Sequence, residues 1–177
     1  MDLVRQLFQL NHLYRSTNAL YGRYVARTGI SPTVLWIMYA LHPINGNCTQ
    51  SEFCSQWGIS AQTANSAIKK MEREGLIELC SVEGNRKSKL LRLTRRGELL
   101  SREIVSPLID AELQALKAMT DEERGEMLRL EQRHYEEMLK FISAPIEPPE
   151  VYVDYHVQRR EDHHQNRRKG ETEKLPV

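Results

Sequence analysis

Apolar positions recur at helical spacing from the start of the chain, at Leu3, Leu7, Leu10, Tyr14, Tyr21, Tyr24 and Val25. That spacing predicts one long amphipathic helix over residues 2–27, stopped by Gly29. Ser31-Pro32 restarts the chain as a helix, with Ser as N-cap and Pro at the first helical position. This second helix carries Val34, Leu35, Trp36, Met38, Tyr39 and Leu41 and ends before Pro43, where "HPINGN" reads as a loop. Thr49-Gln-Ser-Glu52 is a capping box that opens a short third helix. Gly58 ends that helix, Ile59 reads as buried, and Ser60 caps a fourth helix that runs to about Glu74 and closes at Gly75. "LIELC" and "KLLRL" then read as two strands of a hairpin around "VEGNRK". Thr94 caps a fifth helix bearing Leu99, Leu100, Ile104, Val105, Leu108 and Ile109, in which Pro107 is expected to make a kink or bend. Thr120-Asp-Glu-Glu123 is a second capping box. It starts a last helix with Met127, Leu130, Tyr135, Met138, Leu139 and Ile142. Beyond Ile142 the pattern stops. Residues 144–177 are rich in proline and charge and poor in aliphatics, so a disordered tail is expected there.

The totals constrain this picture only mildly. At 177 residues with 40% hydrophobic and 28% charged side chains, the chain can bury one real core. The longest dense apolar run, 34–41, is too short to span a bilayer, and the amino terminus lacks a signal-peptide core. A cytoplasmic location is therefore expected. Three cysteines, Cys48, Cys54 and Cys80, fit reduced thiols better than a disulfide framework. The net charge is +1, so any affinity for nucleic acid has to come from local clustering.

Clustering is present. Residues 60–96 hold nine Lys or Arg against four Asp or Glu, a local +5, while 97–142 hold six against eleven, a local −5. Residues 49–74 form a helix-turn-helix pattern. On the fourth helix Ala64, Ala67, Ile68 and Met71 share one side and can pack inward. Gln62, Asn65, Ser66, Lys69 and Arg73 share the other, at offsets of three, four, seven and eleven. Short hydrogen-bonding groups come first and cations later, the order that a helix entering the major groove needs. Gln and Asn can bond adenine bidentately, and cations behind them reach phosphates. The plain alternative is a solvated face with Lys and Arg near the negative helix end. The hairpin shifts the balance, because Arg86, Lys87, Lys89 and Arg92 crowd its turn at Gly84-Asn85, as a wing touching DNA backbone or minor groove would require. Candidate DNA contacts are Ser60, Gln62, Thr63, Asn65, Ser66, Lys69, Lys70, Arg73, Arg86, Lys87 and Lys89.

The stretches "TQSEFCSQWGISAQTANSAIKKMEREGLIE" and "NRKSKLLRLTRRG", with two helices before and two after, resemble the MarR family of bacterial transcription regulators over residues 3–142. The resemblance implies a mainly α winged helix-turn-helix with amino- and carboxyl-terminal dimerisation helices. It implies a homodimer whose interface is built by the first and last helices of both chains, and double-stranded DNA with an inverted-repeat operator as partner. Where the family's wing usually carries Asp before its Arg, this chain has Asn85 before Arg86. The resemblance further implies a repressor relieved by a small aromatic or carboxylate effector, with His12, Arg15, Trp36 and Tyr39, near Tyr14, as the candidate contacts. Such aromatics are also ordinary core residues.

Other chemistry is thin. His12, His42 and His134 are scattered, and His156, His163 and His164 lie in the tail; none has metal-ligand spacing, although some relatives bind regulatory zinc. Redox-sensing relatives place their reactive Cys in the first helix, which has none here, so Cys54 reads as a small packed residue rather than a sensor thiol. No nucleophile elbow, Ser-His-Asp order or phosphate loop suggests an enzyme, and no cofactor is expected. The resulting division is a dimerisation helix over 1–30, a winged helix-turn-helix over 31–96, dimerisation helices over 97–143 and the tail. The rival reading is a winged-helix protein-interaction module without DNA binding, against which the clustered positive charge argues.

Overall fold

The computed structural model describes residues 2–43, 45–82 and 85–145, with backbone only at 82 and 85–87. The hairpin turn at Gly84, the side chains of Arg86 and Lys87, the tail beyond 145 and its three histidines lie outside the described residues. The elements are α1 (Leu3–Thr28), α2 (Pro32–Ala40), β1 (Cys48–Thr49), α3 (Gln50–Trp57), α4 (Ala61–Arg73), β2 (Ile77–Val82), β3 (Asn85–Leu93), α5 (Arg95–Lys117) and α6 (Asp121–Ile142). Two compact units result, residues 1–119 and residues from 120 onward.

In the first unit the local signals act as read. Gly29 and Gly58 end α1 and α3 in the left-handed region, at φ 72° and 60°, where any Cβ would strain the backbone. Ser31, Thr49, Ser60 and Thr94 each accept the backbone N–H three residues on, and Glu52 completes its capping box by returning a bond to Thr49 N. α2 is apolar all round and accordingly central: Leu35, Ile37 and Met38 are fully buried. Around it pack Phe53 of α3, Ala64, Ile68 and Met71 of α4, Leu91 of β3 and Val105 of α5. Ile59 is half-buried against this core.

Sequence reading missed β1. Its two residues pair antiparallel with β3, Cys48 opposite Leu91 and Thr49 opposite Leu90, giving the sheet order β1-β3-β2. The β2–β3 register runs from Ile77 opposite Leu93 to Ser81 opposite Lys89, with an irregularity between Ser81 and Val82. α5 runs on through Pro107 as one helix. The proline removes one N–H from its ladder, which is not enough to end a helix held to the core by Ile104, Val105 and Leu108.

The second unit holds α6, opened by the Thr120–Glu123 capping box. None of its residues is buried. Leu128, Leu130, Tyr135, Met138, Leu139, Phe141 and Ile142 are all exposed, although they fall within one half of the helix circumference.

Candidate nucleic-acid interface

The fourth helix is set by its two ends and its inner face. Ser60 Oγ accepts Thr63 N at 3.2 Å and lies 2.8 Å from Thr63 Oγ1. Gln50 Nε2 donates to Ala61 O at 3.2 Å, tying the start of α3 to the start of α4 across the turn. Ala64, Ile68 and Met71 are buried, and Ala67 is half-buried against the core. That fixes the rotation of the helix, so Gln62, Thr63, Asn65, Ser66, Lys69, Lys70 and Arg73 are all exposed.

Among these, some polar groups are already engaged locally. Ser66 Oγ donates to Gln62 O at 3.0 Å, and Lys70 Nζ lies 3.9 Å from Glu74 across one turn. That exposed ion pair contributes little and is easily exchanged for another partner. Gln62, Asn65, Lys69 and Arg73 make no side-chain hydrogen bond or ion pair among the described residues. Two carboxamides and two cations on one exposed stripe are thus available to an external partner. On the hairpin, Lys89 Nζ donates to Ser81 Oγ across the strand pair at 3.2 Å, and Arg92 lies 3.8 Å from Glu78. An open cleft of about 480 Å³ lies between α3, α4 and the hairpin, with Asn65, Lys69 and Lys89 on its walls and Cys54 at its edge. Cys54 is half-buried and packed against the core.

The candidate effector residues divide. Trp36 and Tyr39 lie edge to face with ring centroids 5.8 Å apart, as their i, i+3 spacing on α2 allows. They belong to a larger aromatic cluster. Tyr21 approaches Trp36 edge-on at 5.2 Å, and Trp57 stacks on Trp36 at 5.2 Å. His12 and Arg15 are exposed on α1, roughly 13 and 9 Å along the helix axis before Tyr21, and make no described contact with the cluster. Sequence reasoning missed Tyr21, Trp57 and above all Glu112 of α5. Tyr21 Oη donates to Glu112 Oε1 and Tyr39 Oη to Glu112 Oε2, each at 2.7 Å. Nothing local in the sequence marks a pairing across 91 or 73 positions.

Beside the cluster is a second open cleft of about 570 Å³, lined by Tyr39, Trp57, Cys48, Glu52 and three carboxamides. Burial, and then the nearby Glu52 charge, push the Cys48 thiol up, away from the reactive thiolate. The described residues contain no group of three or more His, Cys, Asp or Glu placed to hold a metal ion, and no helix long and apolar enough to cross a membrane.

Residues 28–88 match the model of the MarR family. No curated protein sequence matches the chain. Among solved structures, a MarR family regulator from Neisseria meningitidis is similar at TM-score 0.68 and 21% identity, covering 81% of this chain and 98% of its own. FabT of Streptococcus pneumoniae, solved in complex with DNA, is similar at TM-score 0.58 and 21% identity, covering 79% and 99%. BpsR of Bordetella bronchiseptica, whose DNA binding is regulated by 6-hydroxynicotinic acid, is similar at TM-score 0.53 and 18% identity, covering 72% and 98%. The chain thus matches the MarR family model over residues 28–88 and shares the fold of solved MarR family regulators.

Proposed function

We propose that the chain is a sequence-specific DNA-binding transcriptional regulator, most simply a repressor relieved by a small molecule, working in the cytoplasm on the nucleoid. The observation that carries this reading is the exposed stripe of α4, where Gln62, Asn65, Lys69 and Arg73 have no side-chain partner among the described residues. A helix N-terminal half bearing carboxamides, with cations behind, suits base edges followed by phosphates. Ser60, Thr63, Ser66, Lys70 and the hairpin cations Arg86, Lys87 and Lys89 supply further backbone contacts. FabT's complex with DNA supports the same use of the fold.

The operator is an inverted repeat read by a homodimer. α1 and α6 supply the dimer surface, since each leaves large apolar side chains exposed in the single chain: Leu3, Leu7, Phe8 and Leu13 on α1, and the apolar half of α6. The functional division follows as 1–30 and 97–143 for dimerisation and 31–96 for DNA. An effector of small aromatic or carboxylate character, as 6-hydroxynicotinic acid is for BpsR, would meet Trp36 and Tyr39.

Gln62→Ala or Asn65→Ala tests the assignment of base readers. On a duplex selected by the protein from random sequence, each change is expected to cost about 1–3 kcal/mol, with little loss on unselected DNA. Fluorescence anisotropy on both duplexes measures this. Equal losses on the two would move these side chains to the phosphate backbone.

A further inference from the structure

A serine inside a helix ordinarily points its hydroxyl at solvent or back at the carbonyl one turn earlier. Ser101 of α5 does neither. It is 2% exposed, and its Oγ is buried without a hydrogen-bond partner among the described residues. A hydroxyl left in that state costs free energy, so a partner from outside the chain is favoured. Ser101 lines a cavity of about 230 Å³ between the first turns of α5, the end of β3 and the residues that follow α2.

Two opposite charges line the same cavity. Glu98 and Arg102 stand one turn apart on α5, the spacing at which a carboxylate and a guanidinium usually pair. Yet neither makes a side-chain hydrogen bond or ion pair among the described residues. One turn beyond Arg102, Ser106 Oγ lies 3.4 Å from His42 Nε2. Pro43 and Leu93 supply the apolar part of the wall. We propose that this cavity binds a small zwitterionic α-amino acid, with Arg102 and Ser101 on its carboxylate, Glu98 on its ammonium, and Ser106 and His42 toward its side chain.

The charges select the class. A lone anion would meet Glu98 and a lone cation would meet Arg102, so a ligand carrying both charges is the one that suits both side chains. The volume selects the size. At the roughly 30 Å³ that one water takes in the liquid, the cavity suits a molecule of about seven non-hydrogen atoms, the size of serine. None of the lining residues belongs to the aromatic cluster of Tyr21, Trp36, Tyr39 and Trp57, so this site is separate from the candidate effector contacts. The inference stands apart from the regulator reading, since it concerns ligand binding without DNA.

The test is calorimetric titration of the full-length protein with glycine, L-alanine and L-serine, with acetate and methylamine at matched ionic strength as single-charge controls. At least one of the three amino acids is expected to bind saturably in the millimolar range or tighter, as a ligand of this size can, and to raise the melting temperature. Acetate and methylamine should each bind at least about tenfold more weakly. Glu98→Gln and Arg102→Gln alter exposed side chains and should keep the fold while weakening amino-acid binding at least about tenfold each. Ser101→Ala separates a binding role from a structural one. It should weaken binding yet leave the free protein as stable as before or more so, because it removes an unsatisfied buried hydroxyl. No saturable binding of any of the three amino acids up to about 10 mM would overturn the proposal. So would acetate or methylamine binding equally well, or amino-acid binding indifferent to Glu98, Ser101 and Arg102.

Discussion

Gly97→Ala is expected to destabilise the protein by roughly 3 kcal/mol, the upper end of what overpacking costs, and to lower its melting temperature by several degrees. In an open helix the same change is favourable by about 0.5–1 kcal/mol, because Gly gives up more backbone freedom than Ala on folding. Space reverses the sign here. Gly97 lies in the first turn of α5, and a Cβ there would sit 2.0 Å from the carbonyl oxygen of Leu76 and 2.9 Å from its carbon. Neither atom can swing away. Leu76 O accepts Thr94 N at 3.0 Å, while Thr94 Oγ1 donates to Gly75 O at 2.6 Å and accepts Gly97 N at 3.1 Å. This knot joins the end of α4, the return of the hairpin and the start of α5, so relieving the clash breaks the cap as well. Gly125→Ala is the control. Nothing lies within 4 Å of its would-be Cβ and it falls on the polar side of α6, so it should be neutral or slightly stabilising. Thermal denaturation of the two variants measures the contrast. A Gly97→Ala protein as stable as the unaltered one would refute the packing at this junction.

The second large effect concerns assembly. Removal of residues 1–20 is expected to leave a folded monomer and to weaken operator binding at least a hundredfold. The deleted segment contains no buried residue, since the one buried side chain of α1 is Val25. It does contain Leu3, Phe8, Leu13 and Leu20, each more than half exposed in the single chain. Loss of the second half-site removes the effective-concentration gain of a dimer, about 10²–10⁴. Sedimentation checks the state of assembly and anisotropy the affinity. A truncated protein that remains dimeric would place the interface elsewhere.

How much could be read from the sequence follows from how local each signal is. Capping residues and left-handed glycines act within four positions, so Ser31, Thr49, Ser60, Thr94 and Thr120 mark their helices correctly. The two faces of α4 are readable because a helix converts spacing into direction, and the burial of Ala64, Ile68 and Met71 agrees. β1 escaped because two residues carry no period and their pairing with Leu90 and Leu91 spans the whole helix-turn-helix. Glu112 escaped for the same reason. Nothing in the sequence near Gly97 shows why a glycine stands there, and only the distant Leu76 carbonyl explains it. The effector set rests on resemblance for all four residues; one helical turn brings Trp36 and Tyr39 together, whereas His12 and Arg15 make no described contact with them.

The central claim, that α4 and the hairpin present a DNA-reading surface, is tested most directly by the salt dependence of binding. Full-length protein is titrated into its selected duplex and into unselected duplex from about 50 mM to 200 mM salt. The account predicts that log K falls linearly with log salt, with a slope of several units, about 0.9 for each phosphate contacted. It also predicts a selected site at least about 10³-fold tighter than unselected DNA. No measurable binding at the lowest salt, or equal affinity for both duplexes with a flat salt response, would contradict it.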